Sequence, residues 1–363
     1  MQPEVSMIAS IAKKSMLPFA FVTTTVFAQS NAPEPPKVEV VTSIESQQWI
    51  GISPISRNTI WVSGVDGRVA RSTDAGFSWD YSQPGPGDLQ FRDIEAIDDR
   101  RAYALSIGDN GQSRIYFTEN GGADWRLRYG AANDTFLNCM AISPQGEAWV
   151  TGDSVGDEWR MVRSPSGRNW IKTNSAVSAK PQSNEGGFAS SGSCVRYHND
   201  TWMIGTGNAD VARVLIKARF GIRFDVIETP MQSGPGAGIF AVYPESKDNF
   251  YIAGGHLQAE QNDQPRLWHY QSGKFTALPE PPLDGTLYSL DKVDHNGEWL
   301  LTSNPSGAAA FHLQSKTWHK LSDANIWNIQ CHGDAACWLA GKEGYIAKLV
   351  WKPAQAPPTN VVP

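Results

Sequence analysis

Ser72-Thr73-Asp74-Ala75-Gly76-Phe77-Ser78-Trp79 is the stretch whose reading settles the fold class. Written S-x-D-x-G-x-S-W, it is a complete β-hairpin turn. A short Asp side chain accepts hydrogen bonds from backbone N–H groups just ahead of it, which fixes the turn. Gly76 supplies a positive φ that a β-carbon resists. Trp79 opens the return strand and is expected to lay its large apolar surface over the hairpin. The stretch recurs as Thr118-Glu119-Asn120-Gly121-Gly122-Ala123-Asp124-Trp125, with Asn in place of Asp. Ser164-Pro165-Ser166-Gly167-Arg168-Asn169-Trp170 is one residue shorter. Lys217-Ala218-Arg219-Phe220-Gly221-Ile222-Arg223-Phe224 keeps the Gly-to-aromatic spacing and loses the acid. Ser72, Asp74, Gly76, Trp79, Asn120, Gly122 and Trp125 are therefore read as structural.

Working outward, the aromatics that open each return strand are Trp79, Trp125, Trp170, Phe224, Phe275 and Trp318. They are spaced by 46, 45, 54, 51 and 43 residues. That is the period of a four-stranded propeller blade. Before each turn lie two short apolar strands and a third, and seven such units run from residue 49 to residue 349. The last unit lacks a fourth strand. Lys37-Val38-Glu39-Val40-Val41-Thr42-Ser43, with Val on alternate sides, is expected to supply it and so remove the free sheet edge. The expected fold is all-β: a single seven-bladed β-propeller of four-stranded blades over residues 37–352.

Composition agrees. The 363 residues include 33 Gly, 23 Pro and 14 Trp, which suits many short strands joined by turns. A net charge of −6 without a Lys/Arg run argues against nucleic-acid binding. Lys13 and Lys14, then an apolar run over 16–26 and Val26-Phe27-Ala28, read as a signal peptide over 1–28. A periplasmic or secreted location follows, with no stable membrane insertion after cleavage. Residues 29–36 form a Pro-rich lead-in and 353–363 a matching tail, both expected to be disordered. Cys331 and Cys337 flank a tight turn and are expected to pair across one hairpin. Cys139 and Cys194 either bridge adjacent repeats or are two small buried hydrophobes. No spacing suggests a zinc site or a redox C-x-x-C pair.

The repeated turn resembles the Asp-box, or bacterial neuraminidase repeat. Seven such units behind a signal peptide resemble the photosystem II stability/assembly factor-like propellers of the WD40/YVTN/BNR-like superfamily. Phe91-Arg92-Asp93-Ile94-Glu95-Ala96, Phe136-Leu137-Asn138-Cys139-Met140-Ala141, Glu185-Gly186-Gly187-Phe188-Ala189-Ser190-Ser191-Gly192 and Ala237-Gly238-Ile239-Phe240-Ala241-Val242 resemble the non-photosynthetic bacterial branch. The resemblance covers residues 40–350 and implies an assembly or stability factor.

Propeller geometry puts the loops before each first strand, and those between second and third strands, around one channel mouth. Arg92, Asp93, Asn184, Glu185, Ser190, Ser191 and Arg213 are expected there as ligand-binding residues. Arg92 paired with Glu185 is the sharpest candidate, a guanidinium placed to hold a carboxylate. Arg114, Arg160, Arg213 and Arg266 each open a third strand and form either a basic rim or a structural brace. The expected partner is a protein or peptide, bound without catalysis by a monomer. The alternative is a glycan-binding or glycan-cleaving propeller using Glu185 with Asp93 or Asp153. No Arg-Ile-Pro motif, Gly-x-Ser-x-Gly turn or strand–Gly-rich–helix motif is present, so no catalytic residue, cofactor or metal is assigned.

Overall fold

The computed structural model describes residues 34–41, 44–258, 264–333 and 335–352. The expected signal peptide, most of the Pro-rich lead-in and the tail lie outside the described residues. Seven four-stranded antiparallel sheets follow one another along the chain, and no helix occurs among the described residues. The first strands are Trp49–Pro54, Gln90–Ala96, Leu137–Ile142, Val195–His198, Ala237–Ser246, Ser289–Asp294 and Ile326–His332. Each packs against the first strand of the next blade, and the first packs against the seventh. They therefore ring a central channel. Lys37–Val41 pairs antiparallel with Ile346–Val350, from Lys37 opposite Val350 to Val41 opposite Ile346. The strand from the start of the chain thus completes the last blade, so no blade is left a strand short.

The hairpin turns use the chemistry their residues suggest. Ser72 Oγ accepts from Gly76 N (2.8 Å), and Asp74 accepts from Ser78 N (2.9 Å) and Ser78 Oγ (2.6 Å). These bonds hold the Asp74 carboxyl down at about 2. Thr118 and Asn120 repeat the pattern: Gly122 N donates to Thr118 Oγ1 (3.0 Å) and Asp124 N to Asn120 Oδ1 (2.9 Å). Each turn is also tied to the first-to-second turn of its own blade, through Ala75 N to Asn58 O and Gly121 N to Arg100 O (both 2.8 Å). The two kinds of turn therefore share one end of the ring, called here the lower end.

In blades 5 and 6 the aromatic after the turn packs on its own blade, as the sequence suggested: Phe275 meets Tyr270 at 4.8 Å and Trp318 meets Phe311 at 4.9 Å. In blades 2, 3 and 4 it does not lie over its own hairpin. It reaches the preceding blade. Trp125 meets Trp61 edge-on at 6.1 Å, Trp170 meets Tyr103 at 5.5 Å and Phe224 meets Trp149 at 5.0 Å. Trp61, Tyr103 and Trp149 are the second-strand aromatics of blades 1, 2 and 3. A large ring gains more buried area between two sheets than on one exposed outer strand. In those three blades the recurring aromatic is thus an inter-blade wedge.

Both cysteine pairs are disulfides. Cys331 and Cys337 face each other across one hairpin, and Cys139 and Cys194 join blades 3 and 4.

Candidate functional site

A one-residue bulge interrupts the upper part of the first strand in five blades, at Ile50, Arg92, Asn138, Phe240 and Trp327. A bulge leaves one residue unpaired and re-aims its side chain. Here it turns one side chain per blade toward the channel mouth.

Three of those side chains, Arg92, Asn138 and Phe240, meet a plug. The segment before the blade 4 first strand, residues 185–193, crosses the channel from blade 3. Phe188 stacks on Phe240 at 3.8 Å, and Phe240 on Tyr288 at 5.6 Å. Ala189 O accepts from Arg92 Nη1 (3.4 Å) and Ser191 O from Asn328 Nδ2 (2.5 Å). Ser191 Oγ donates to Tyr288 O (2.6 Å). Blades 2, 5, 6 and 7 are all touched by this one stretch. Its glycines leave no room for a side chain. A Cβ on Gly186 would run into Asp153 Oδ1, and one on Gly192, at φ +76°, would lie 2.6 Å from Asp93 Oδ1. The Cys139–Cys194 disulfide fastens the end of the plug to blade 3.

The expected site residues divide accordingly. Arg92 and Glu185 do not pair. Glu185 is fully buried, and its carboxylate is taken by Arg213 through Nη2 and through Nε (2.9 Å). Thr206 Oγ1 (2.7 Å) and Gln182 N (2.8 Å) fill its remaining sites. A wholly enclosed carboxylate with that many donors is held in place, out of reach of a ligand. Arg213 is buried with it, over the Trp159 ring. Arg160 is likewise engaged by Glu158 (2.6 Å) and Asp134 (3.0 Å), and Arg266 by Glu280 (2.7 Å). Arg114 Nε bonds Gly111 O at 2.7 Å. These arginines brace loops. Ser190 and Ser191 are buried in the plug, and Asn184 is exposed ahead of it. Asp153 is held by Asn138 Nδ2 (2.9 Å) and Gly187 N (3.3 Å), with its carboxyl pushed up by burial.

Arg92 remains. It is half-buried, lies 5.5 Å over the Trp327 ring, and bonds Gln90 Oε1 at 2.9 Å. It makes no ion pair among the described residues, and its Nε has no partner. Tyr288 meets Trp327 edge-on at 5.2 Å, so a cation and two half-buried aromatic rings lie together at the upper mouth.

Below the plug the channel opens again. A cavity of about 390 Å³ lies among the lower halves of the first strands. Ser191, Gly192 and Ser193 of the plug roof it, and Asn199 and Gly333 of the lower turns mark its opening. Asp93 belongs to this cavity. Its carboxyl accepts from Met140 N (2.7 Å) and is pushed up to about 8 by burial. Glu95, Arg196, Asp291 and Asn328, which the sequence reading passed over, line it too. The signal available was a pair of acids, Asp93 and Glu95, inside a strand otherwise expected to be buried. Among the described residues no group of His, Cys, Asp and Glu is arranged to hold a metal ion.

No family model and no curated protein matches the chain. Solved structures do. YCF48 bound to D1 peptide is similar at TM-score 0.60 and 13% identity, over 89% of this chain and 100% of that one. YCF48 from Cyanidioschyzon merolae gives TM-score 0.59 and 13% identity, over 86% and 99%. Virginiamycin B lyase from Staphylococcus aureus gives 0.61 and 12%, over 87% and 99%. At such identities the likeness carries the seven-bladed propeller fold and not a family. One of these propellers holds a peptide and another is named as an enzyme, so shape alone does not choose between those functions.

Proposed function

We propose that this chain is an exported, non-enzymatic propeller that binds a protein or peptide partner at its upper channel mouth, as an assembly or stability factor. The observation that carries this reading is Arg92, a half-buried guanidinium on the Trp327 face with no carboxylate of its own. An arginine backed by tryptophan and tyrosine is the composition of an interface hot spot. The guanidinium fork suits a carboxylate, from a chain terminus or an acidic side chain. The plug supports surface docking, because a partner meets a closed mouth and has no channel to thread. The peptide held by the YCF48 propeller is a precedent for this use of the shape. The glycan-cleaving alternative loses its proposed acid, since Glu185 is enclosed by Arg213 and Thr206.

The test is affinity capture from a periplasmic extract, wild type beside Arg92→Ala. A partner retained by wild type and reduced at least tenfold by the variant is the expected result. Equal capture by both proteins removes Arg92 from the site.

A further inference from the structure

The blind well under the plug has a one-sided chemistry. Its cations are already engaged: Arg196 bonds Asp291 at 2.9 Å, and Lys292 is shared between Glu245 (2.8 Å) and Glu298 (2.6 Å). His198 Nδ1 lies 2.9 Å from Pro244 O, and its Nε2 lies 3.4 Å from the Tyr243 hydroxyl. The Glu95 carboxylate makes no hydrogen bond or ion pair among the described residues, and Asp93 shares its wall.

Asn328 supplies an independent observation. It is only 3% exposed and lines the well. Its amide orientation is fixed by two carbonyls, because Nδ2 donates to Ile50 O (3.1 Å) and Ser191 O (2.5 Å). Its Oδ1 is therefore an acceptor, and it has no donor. Buried polar groups are nearly always satisfied, so such an orphan asks for a partner. Every unmet group identified in the well is an acceptor.

We propose that this well is a binding site for an alkylammonium group, entering from the lower end and donating to Glu95 and Asp93. A primary ammonium brings three donors and a positive charge on a slender stem, which suits the neighbouring carboxyls of Glu95 and Asp93. Burial pushes the Asp93 carboxyl up to about 8, and Glu95 is raised by burial and by Asp93 beside it. Arg196 offsets part of this, while Asp291 and Glu245 keep Arg196 and Lys292 occupied. An entering ammonium therefore displaces protons, and its affinity rises as pH climbs toward about 8, where Asp93 gives up its proton.

Calorimetric titration of the full chain with 1,4-diaminobutane tests this, with 1-butanol as the uncharged control. Saturable binding of the diamine and none of the alcohol is expected, with at least tenfold weaker binding by Glu95→Gln. On the wild type alone, repeating the titration in buffers of different ionisation enthalpy should report protons released on binding. Parallel titration with Nα-acetyl-lysine methylamide separates the sources. Binding as tight as the diamine assigns the site to a lysyl side chain, and binding of the diamine alone assigns it to a free polyamine. No saturable diamine binding, equal binding by Glu95→Gln, or binding without proton release would each overturn the proposal.

Discussion

A carboxylate with no exposed surface is held by a guanidinium, a threonine hydroxyl and a backbone N–H at Glu185. Taking two charges out of water is repaid only when each lone pair and proton finds a partner, as here. Removing one charge leaves the other stranded. Glu185→Gln is expected to lower stability by about 3–5 kcal/mol, because Arg213 keeps its charge in a buried site. Urea denaturation of wild type and variant checks this, and a change below about 1 kcal/mol would show that the pair does not brace the plug. From the sequence, Glu185 and Arg92 looked alike, two charged residues at one mouth. Which of them had a local partner depended on Arg213, 28 positions away. A charge's partner is a matter of three-dimensional placement, and no periodicity encodes it.

The plug is the element that differs most from its counterparts in the other blades. Blades 1, 2, 3, 5 and 7 bring their first strands in with a bulge, whereas blade 4 arrives through Gly186, Gly187 and Gly192 pressed against its neighbours. Gly192→Ala must place a Cβ at φ +76° against Asp93 Oδ1. A loss of about 1–3 kcal/mol is expected from the strained backbone alone, read as a lower melting temperature. An unchanged melting temperature would mean that the plug yields freely at this point. Hairpins, repeat period and the closing strand were all legible, because turn chemistry and alternating Val leave marks in the sequence. The plug was not. It has no period, and its one trace is the 54-residue gap between Trp170 and Phe224, the longest in the set. The bulges were hidden too, since two residues opposing one read like an ordinary strand.

At the scale of the whole molecule, the plug makes two ends out of one channel. The upper end carries Arg92, Trp327 and Tyr288, and the lower end carries the acidic well and the hairpin turns. The sequence reading assigned Asp93 to the upper mouth beside Arg92, its neighbour in the chain. The bulge at Arg92 sends the two side chains to different ends. Partner binding at the upper mouth is best tested by photo-cross-linking from each end in turn. A benzophenone side chain replaces exposed Gln90, beside Arg92, or exposed Asp294, at the rim of the lower well. Each protein is then irradiated with the extract that yields the captured partner. Cross-linking from position 90, abolished by Arg92→Ala, is the predicted result. Cross-linking from position 294 and none from position 90 would contradict it.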